Sequence, residues 1–240
     1  EDGYYSHGVL VPAISGYIIY RWWPWLSKLK VEPGWYAIPF LLGALWLVRV
    51  AHVCQAYGLM SVMLIGTLLM GICLCAGWRW MFALAAPVLY LSFALPVWST
   101  FINTYTNPLQ QISTQVSYQL LKLFGLTPWQ GDSTTILLDN FTLDVGVPCS
   151  GLKLVLALSA FAVFFMLIAK LRLWANIAFA AFVLPLTLFI NGLRIALIGV
   201  VGNAYGAEAG NQFHDYSGYI TLVLCFFILF KVARLLGWKD

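Results

Sequence analysis

Three side chains able to take part in acyl transfer, Cys149, Arg194 and His214, stand in a chain that is otherwise poor in reactive groups. Cys149 lies in Pro148-Cys149-Ser150-Gly151, where a polar, strand-like stretch ends and a long apolar run begins. Pro suits the first turn of a helix, because its missing N–H is not needed there. The free N–H groups and the positive dipole end at that point favour an anion. The thiol is therefore expected to ionise more easily than a free cysteine, whose pKa is about 8.5. The plain alternative is a cysteine that packs as a small apolar residue. Arg194 lies in Phe189-Ile190-Asn191-Gly192-Leu193-Arg194-Ile195, within an apolar run. An arginine there is costly unless paired or functional, or unless it snorkels to the interface. Asn191 falls one turn earlier on the same helix face, placed to orient the guanidinium or a neighbouring side chain. His214 occurs in Phe213-His214-Asp215-Tyr216-Ser217-Gly218, with Asp215 or Ser217 as a cap for the last apolar run. Alone it reads more readily as a solvated loop histidine. Taken together, a thiol, an imidazole and a fixed cation are the parts of a cysteine-dependent acyl transfer.

The elements that must position these groups follow from composition. Of 240 residues, 62% are hydrophobic and 9% charged, with 11 Trp, 12 Tyr and 16 Phe, more apolar surface than a soluble domain of this size can hide. The chain reads as one all-α polytopic membrane domain over residues 1–240. Apolar runs cover about Val9–Trp25, Trp35–Val53, Tyr57–Ala76, Trp80–Val97, Leu152–Ala169, Trp174–Val201 and Tyr216–Leu236, so about seven transmembrane helices are expected. The opening at Glu1 without Met points to a missing upstream segment, with room for one further span, and the first residues do not read as a signal peptide.

Between about residues 98 and 148 Gln, Ser, Thr and Asn become frequent, which predicts an extracytoplasmic insertion. Asn107-Pro108 is expected to cap an amphipathic helix with Leu109, Ile112, Val116, Leu120 and Leu123 on its apolar face, against Gln111, Thr114, Gln115, Ser117 and Lys122. That helix is expected to lie along the membrane surface. Thr134–Leu138 and Phe141–Val145 read as a small β-hairpin turned by Asp139-Asn140, which delivers the chain to Cys149. With the N-terminus outside, nine basic residues (Arg21, Lys28, Lys30, Arg79, Lys170, Arg172, Lys231, Arg234, Lys239) fall on the inner half and four (Arg49, Lys122, Lys153, Arg194) on the outer half. This is the sense that the positive-inside rule requires. Cys149, Arg194 and His214 then meet at the extracytoplasmic face of the cell's inner (plasma) membrane.

The net charge of +4 gives no reason to expect a nucleic-acid partner. Cys54, Cys73, Cys75 and Cys225 fall in or beside apolar runs and read as packing residues, so neither a disulfide framework, a metal site nor a cofactor is indicated. A transporter or channel using Arg194 and His214 as a polar relay is the alternative class, with Pro87, Pro96 and Pro185 available to break helices. It gives no reason for a thiol on the same face.

Cys149-Ser150-Gly151, Asn191-x-x-Arg194-Ile195 and His214-x-x-x-Gly218, in that order, resemble the exosortase/archaeosortase family of membrane-embedded cysteine transpeptidases. Tyr5-Ser6-His7-Gly8 followed by Leu10-Val11-Pro12 is similar to the family's early segment. The span count is lower than in many members, and Val147-Pro148 before the cysteine differs from the Ala or Glu-Ala of the commonest type. The resemblance implies that the protein cleaves membrane-anchored substrates at a C-terminal sorting signal: a short motif such as Pro-Glu-Pro, a transmembrane helix and a basic tail. It implies Cys149 as nucleophile, His214 as proton carrier and Arg194 as oxyanion or carbonyl ligand. Ser150, Gly151, Asn191, Asp215 and Gly218 are the expected supporting residues. The thioester would pass to an acceptor that the sequence does not identify.

Overall fold

The computed structural model describes residues 8–169 and 171–238. The Tyr5-Ser6-His7 part of the early segment, and Lys170 and Lys239 of the inner charge set, lie outside the described residues. Eight α-helices carry the fold: α1 Leu10–Leu26, α2 Ile38–Val53, α3 Tyr57–Ala76, α4 Trp78–Tyr90, α5 Ser99–Leu123, α6 Leu152–Ala169, α7 Leu173–Tyr205 and α8 Ala207–Leu235. Helices dominate because lipid offers no partner for main-chain N–H and C=O groups, which must then be satisfied within each segment.

Among the described residues, five helical segments are long and apolar enough to cross a bilayer: Trp35–Val53, Tyr57–Ala76, Leu152–Ala169, Leu173–Tyr205 and Ala207–Leu235. A sixth is reached by joining the bent pair Trp78–Ala94 and Pro96–Leu123. The protein is thus an all-α, multi-pass membrane protein, with five or six candidate spans among the described residues where the sequence predicts about seven. The first run folds as a helix of 17 residues, at the short end of the lengths that cross the hydrocarbon core. The fourth breaks at Leu95, whose extended backbone (ψ 152°) precedes Pro96, as the clash with a following proline ring dictates.

The chain divides into two compact units, one through Phe101 and one from Ile102 onward. In the first, α2, α3 and α4 pack in sequence, and Ser15 Oγ on α1 donates to the Pro87 carbonyl of α4 at 2.8 Å.

The second unit holds Cys149, Arg194 and His214. α7 and α8 are joined through Gly206 alone, whose φ of +90° reverses the chain at a conformation that a Cβ would resist. Leu158, Ala162 and Phe165 of α6, Phe179, Val183 and Ile190 of α7, and Cys225, Leu229 and Ala233 of α8 form its buried core.

The expected hairpin forms as β2 Thr135–Leu137 and β3 Thr142–Asp144, and β1 Trp129–Gln130 extends it to a three-stranded antiparallel sheet. The Asp139-Asn140 turn forms as predicted, and Asn140 N–H is fixed by Asn203 Oδ1 of α7 at 2.9 Å. The extra strand is two residues long and follows Pro128, too short for any alternation to show in the sequence.

α5 departs from expectation in two ways. It begins at Ser99 and carries Pro108 in its interior instead of being capped by Asn107-Pro108. Its buried face is mixed: Ser113, Thr114 and Ser117 are buried with Leu109 and Leu121, whereas Ile112, Leu123, Gln111, Gln115 and Lys122 are exposed. Ser113 faces protein partners, Asn191 Nδ2 and the Ser150 carbonyl, where hydrocarbon would leave its hydroxyl unsatisfied.

Candidate active site

Three elements bring the predicted residues together. Cys149 ends a 3-10 turn, Val147–Cys149, and Ser150 and Gly151 lead into α6. The thiol therefore sits ahead of the helix and not on its first turn, a correction to the sequence reading. The break is made by Gly151, whose φ of +81° no side-chain-bearing residue adopts without strain. A Cβ at that position would stand 2.9 Å from Asn191 Nδ2.

Asn191 and Arg194 project from α7, and His214 from the second turn of α8. Because α8 starts at Ala207, nine residues before the predicted Tyr216, Asp215 and Ser217 lie inside the helix and cap nothing. The reason is that Gly206 ends α7 and starts α8 at once, and the intervening polar residues simply continue the helix.

Cys149 Sγ lies 2.9 Å from His214 Nε2. On the other side of the ring, His214 Nδ1 faces Asp215 Oδ1 at 3.3 Å. With the proton on Nδ1 toward that carboxylate, the Nε2 lone pair faces the thiol. Asp215 is largely exposed, so this contact is screened by solvent. Arg194 Nε donates to Ser217 Oγ at 3.0 Å and Nη2 donates to the His214 carbonyl at 3.1 Å. Ser217 Oγ in turn donates to the His214 carbonyl at 3.1 Å. The guanidinium is thus fixed against the turn that carries the imidazole, with three of its five N–H groups not engaged in these two bonds.

The nucleophile turn is held from beneath. Asn191 Nδ2 donates to the Cys149 carbonyl at 2.8 Å and to Ser113 Oγ at 3.0 Å, and Ser113 Oγ donates to the Ser150 carbonyl at 3.3 Å. Gln110 Nε2 donates to the Val145 carbonyl. Ser113, Ser150 and Asn191 are all buried. Asn191 therefore orients the cysteine-bearing turn rather than the guanidinium. Ser150 serves through its carbonyl and through Oγ, which accepts the Leu152 N–H at 3.4 Å. Gly218 leaves room beside Arg194, where an added Cβ would stand 3.7 Å from Nη2.

Sequence reading missed Ser113 and Gln110, and took Ser217 only as a cap. The signal available was the run of small polar residues at positions 113, 114 and 117 on one face of a helix in an otherwise apolar chain.

Cys149, in the turn before the α6 span, is mostly buried, and burial pushes its thiol up. Arg194 and Lys153 pull it back, and the Asp144 carboxylate adds to the rise. The direction is opposite to the lowering expected from a helix N-terminus. Set three residues ahead of Leu152, the thiol gains little from a dipole whose effect is confined to the first turn. Burial wins. Among the described residues no group of His, Cys, Asp and Glu is placed to hold a metal ion.

Comparison with known proteins gave no match among curated proteins and none among solved structures. A family model described as transmembrane exosortase (Exosortase_EpsH) matches residues 1–231. With nearly the whole chain covered, and with Cys149 and Arg194 both in hydrogen-bond contact with His214, this protein belongs to the transmembrane exosortase family.

Proposed function

We propose that the protein cleaves exported, membrane-anchored proteins at a C-terminal sorting signal through a Cys149 thioester, and transfers the product to an acceptor. Membership of the exosortase family makes it a membrane transpeptidase or cysteine peptidase in general terms. The observation that supports the finer reading is the 2.9 Å approach of Cys149 Sγ to His214 Nε2, with the imidazole backed by Asp215 and its carbonyl bound by Arg194.

In the first step His214 Nε2 takes the thiol proton as sulfur bonds to the scissile carbonyl carbon. The oxygen becomes an oxyanion, which the unengaged N–H groups of Arg194 stabilise; a fixed donor in a dry site is worth about 2.7–4 kcal/mol. His214 then returns the proton to the leaving amine as the C–N bond breaks, and the C-terminal fragment departs. An amine, a hydroxyl or water attacks the thioester, gives its proton to Nε2, and the thiolate leaves as the thiol is restored. A thiol kept neutral by burial suits this sequence, since the proton moves only when substrate arrives.

A substrate of this class is itself a membrane helix with its motif at the outer surface and its basic tail inside. With the site on the extracytoplasmic face, as the positive-inside count favours, the scissile bond meets the thiol without being lifted from the membrane. The test is trapping. Co-expressed with a tagged reporter carrying a Pro-Glu-Pro segment, a transmembrane helix and a basic tail, the wild type should yield a processed product and a thioester released by hydroxylamine. Cys149→Ala should accumulate the uncleaved reporter. Processing that survives Cys149→Ala would refute the reading.

A further inference from the structure

The main-chain edge beside the nucleophile is unused. Val145 N–H donates to the Thr134 carbonyl and Leu138 N–H to the Phe141 carbonyl, each at 2.9 Å. Pairs across an antiparallel ladder alternate between bonded and non-bonded. Ile136–Leu143 is therefore a bonded pair, while Thr135–Asp144 and Leu137–Thr142 are not. The far side of β2 agrees, because Gly131 N–H donates to the Thr135 carbonyl at 3.0 Å. Thr142 and Asp144 thus turn their N–H and C=O groups away from β2. β3 is the last strand of the sheet, and both residues are exposed while Leu143 between them is buried. The Asp144 carbonyl accepts Gly146 N–H at 3.0 Å. Among the described residues, three groups remain on the outer edge: Thr142 N–H, Thr142 C=O and Asp144 N–H.

We propose that the outer edge of β3 receives the extended segment of the substrate as a fourth strand and leads its scissile bond to Cys149. The inference rests on the peptidase reading above and adds where that peptide is held. Strand addition at an exposed edge gives affinity from main-chain hydrogen bonds and leaves side chains to neighbouring pockets. The occupant follows from position. β3 ends at Asp144, and the turn that bears Cys149 begins at Val147, with Val145 and Gly146 between them. A peptide paired with Thr142 and Asp144 thus runs beside the stretch of chain that leads into that turn. The edge asks little of its ligand, because only alternate residues of a strand direct their main-chain groups to one side. A Pro-Glu-Pro segment meets that demand: the Glu N–H and C=O face Thr142, and the two missing proline N–H groups face away.

Thr142→Pro tests the edge. It removes one outward donor and places a ring in the path of the incoming strand, at the kind of edge position where a sheet tolerates proline. Purified protein in liposomes is supplied with a synthetic reporter peptide spanning a Pro-Glu-Pro segment and a transmembrane helix. A second peptide has an ester in place of the Pro–Glu amide. The ester should lower wild-type kcat/KM by about threefold to tenfold, one hydrogen bond's worth, chiefly through KM. Thr142→Pro should lower it at least as much, and the ester should then cost that variant little more. An iodoacetamide pH profile at Cys149 that stays on the alkaline side, as in the wild type, reports that the site is folded. Should Thr142→Pro fail to fold, the ester comparison on the wild type decides alone.

Equal cleavage of amide and ester by the wild type overturns the proposal and leaves the peptidase reading standing. So does a Thr142→Pro variant that changes only the oligomeric state, which would make the edge a contact between two copies. Binding of the reporter to Cys149→Ala separates the two claims from the other side. Binding that depends on Thr142, with no cleavage by wild type, keeps the edge and refutes the chemistry.

Discussion

Gly151→Ala puts the nucleophile turn under the sharpest test, because the structure fixes both of its costs. The residue has φ of +81°, a conformation that costs an L-residue about 1–2 kcal/mol. Its added Cβ would lie 2.9 Å from Asn191 Nδ2, closer than real contacts allow, and 3.1 Å from Asn191 Cγ, a tight contact. Overpacking of a filled site costs typically about 1–3 kcal/mol. The sum, about 2–5 kcal/mol, falls on the group that binds the Cys149 carbonyl. At roughly 2–4 °C per kcal/mol for a chain of this size, the melting temperature should fall by about 4–20 °C. The other family glycine gives the contrast. At Gly218 the backbone is helical and a Cβ would stand 3.7 Å from Arg194 Nη2, an ordinary contact. Gly218→Ala should hold its melting temperature, or gain up to about 1 kcal/mol from helix propensity, and keep processing. Thermal denaturation in detergent, followed by size-exclusion fluorescence, and reporter cleavage in membranes measure both variants. A Gly151→Ala protein that melts and cleaves like wild type would refute the reasoning. Loss of processing in Gly218→Ala would show that its role is more than space beside the guanidinium.

Arg194→Lys should lower kcat/KM by about 10–150-fold, since an ammonium cannot bridge Ser217 and the His214 carbonyl as a planar fork does, and one charged hydrogen bond is worth about 1.5–3 kcal/mol; activity within twofold of wild type counts against it. Asn191→Ala and Ser113→Ala should each reduce kcat more than KM, because both act on the geometry of the nucleophile turn, and single-turnover cleavage distinguishes this from slower binding. Burial raises the Cys149 thiol, so its neutral form contributes stability below the ordinary thiol pKa of about 8.5, and that contribution is lost as pH rises through the higher folded value. Iodoacetamide labelling of the resting enzyme should accordingly rise only on the alkaline side. Asp144→Asn should move that profile to lower pH, by a margin that shrinks in 1 M salt. A shift to higher pH would contradict the sign. Labelling profiles that superimpose in wild type and His214→Ala would remove His214 as the activating base.

Several features were legible because each rests on chemistry that a residue carries with it. Long apolar runs must become helices in a bilayer, so α2, α3 and α6 match their predicted limits closely. The Asp139-Asn140 turn and its flanking strands are visible in residue type alone, and Cys149, Arg194 and His214 stand out as reactive groups in apolar surroundings. What tertiary structure decided was direction and company. The amphipathic pattern of α5 could not say which face would be covered; Ser113 is buried against Asn191 and Ser150 while Ile112 is exposed. Asn191 was visible as a polar residue one turn from Arg194, yet its partner is the Cys149 carbonyl, 42 residues away in the chain. The thiol's pKa turned on burial, which no local pattern reports. Periodicity fixes what a segment forms; only the approach of distant segments fixes what its side chains touch and how dry they become.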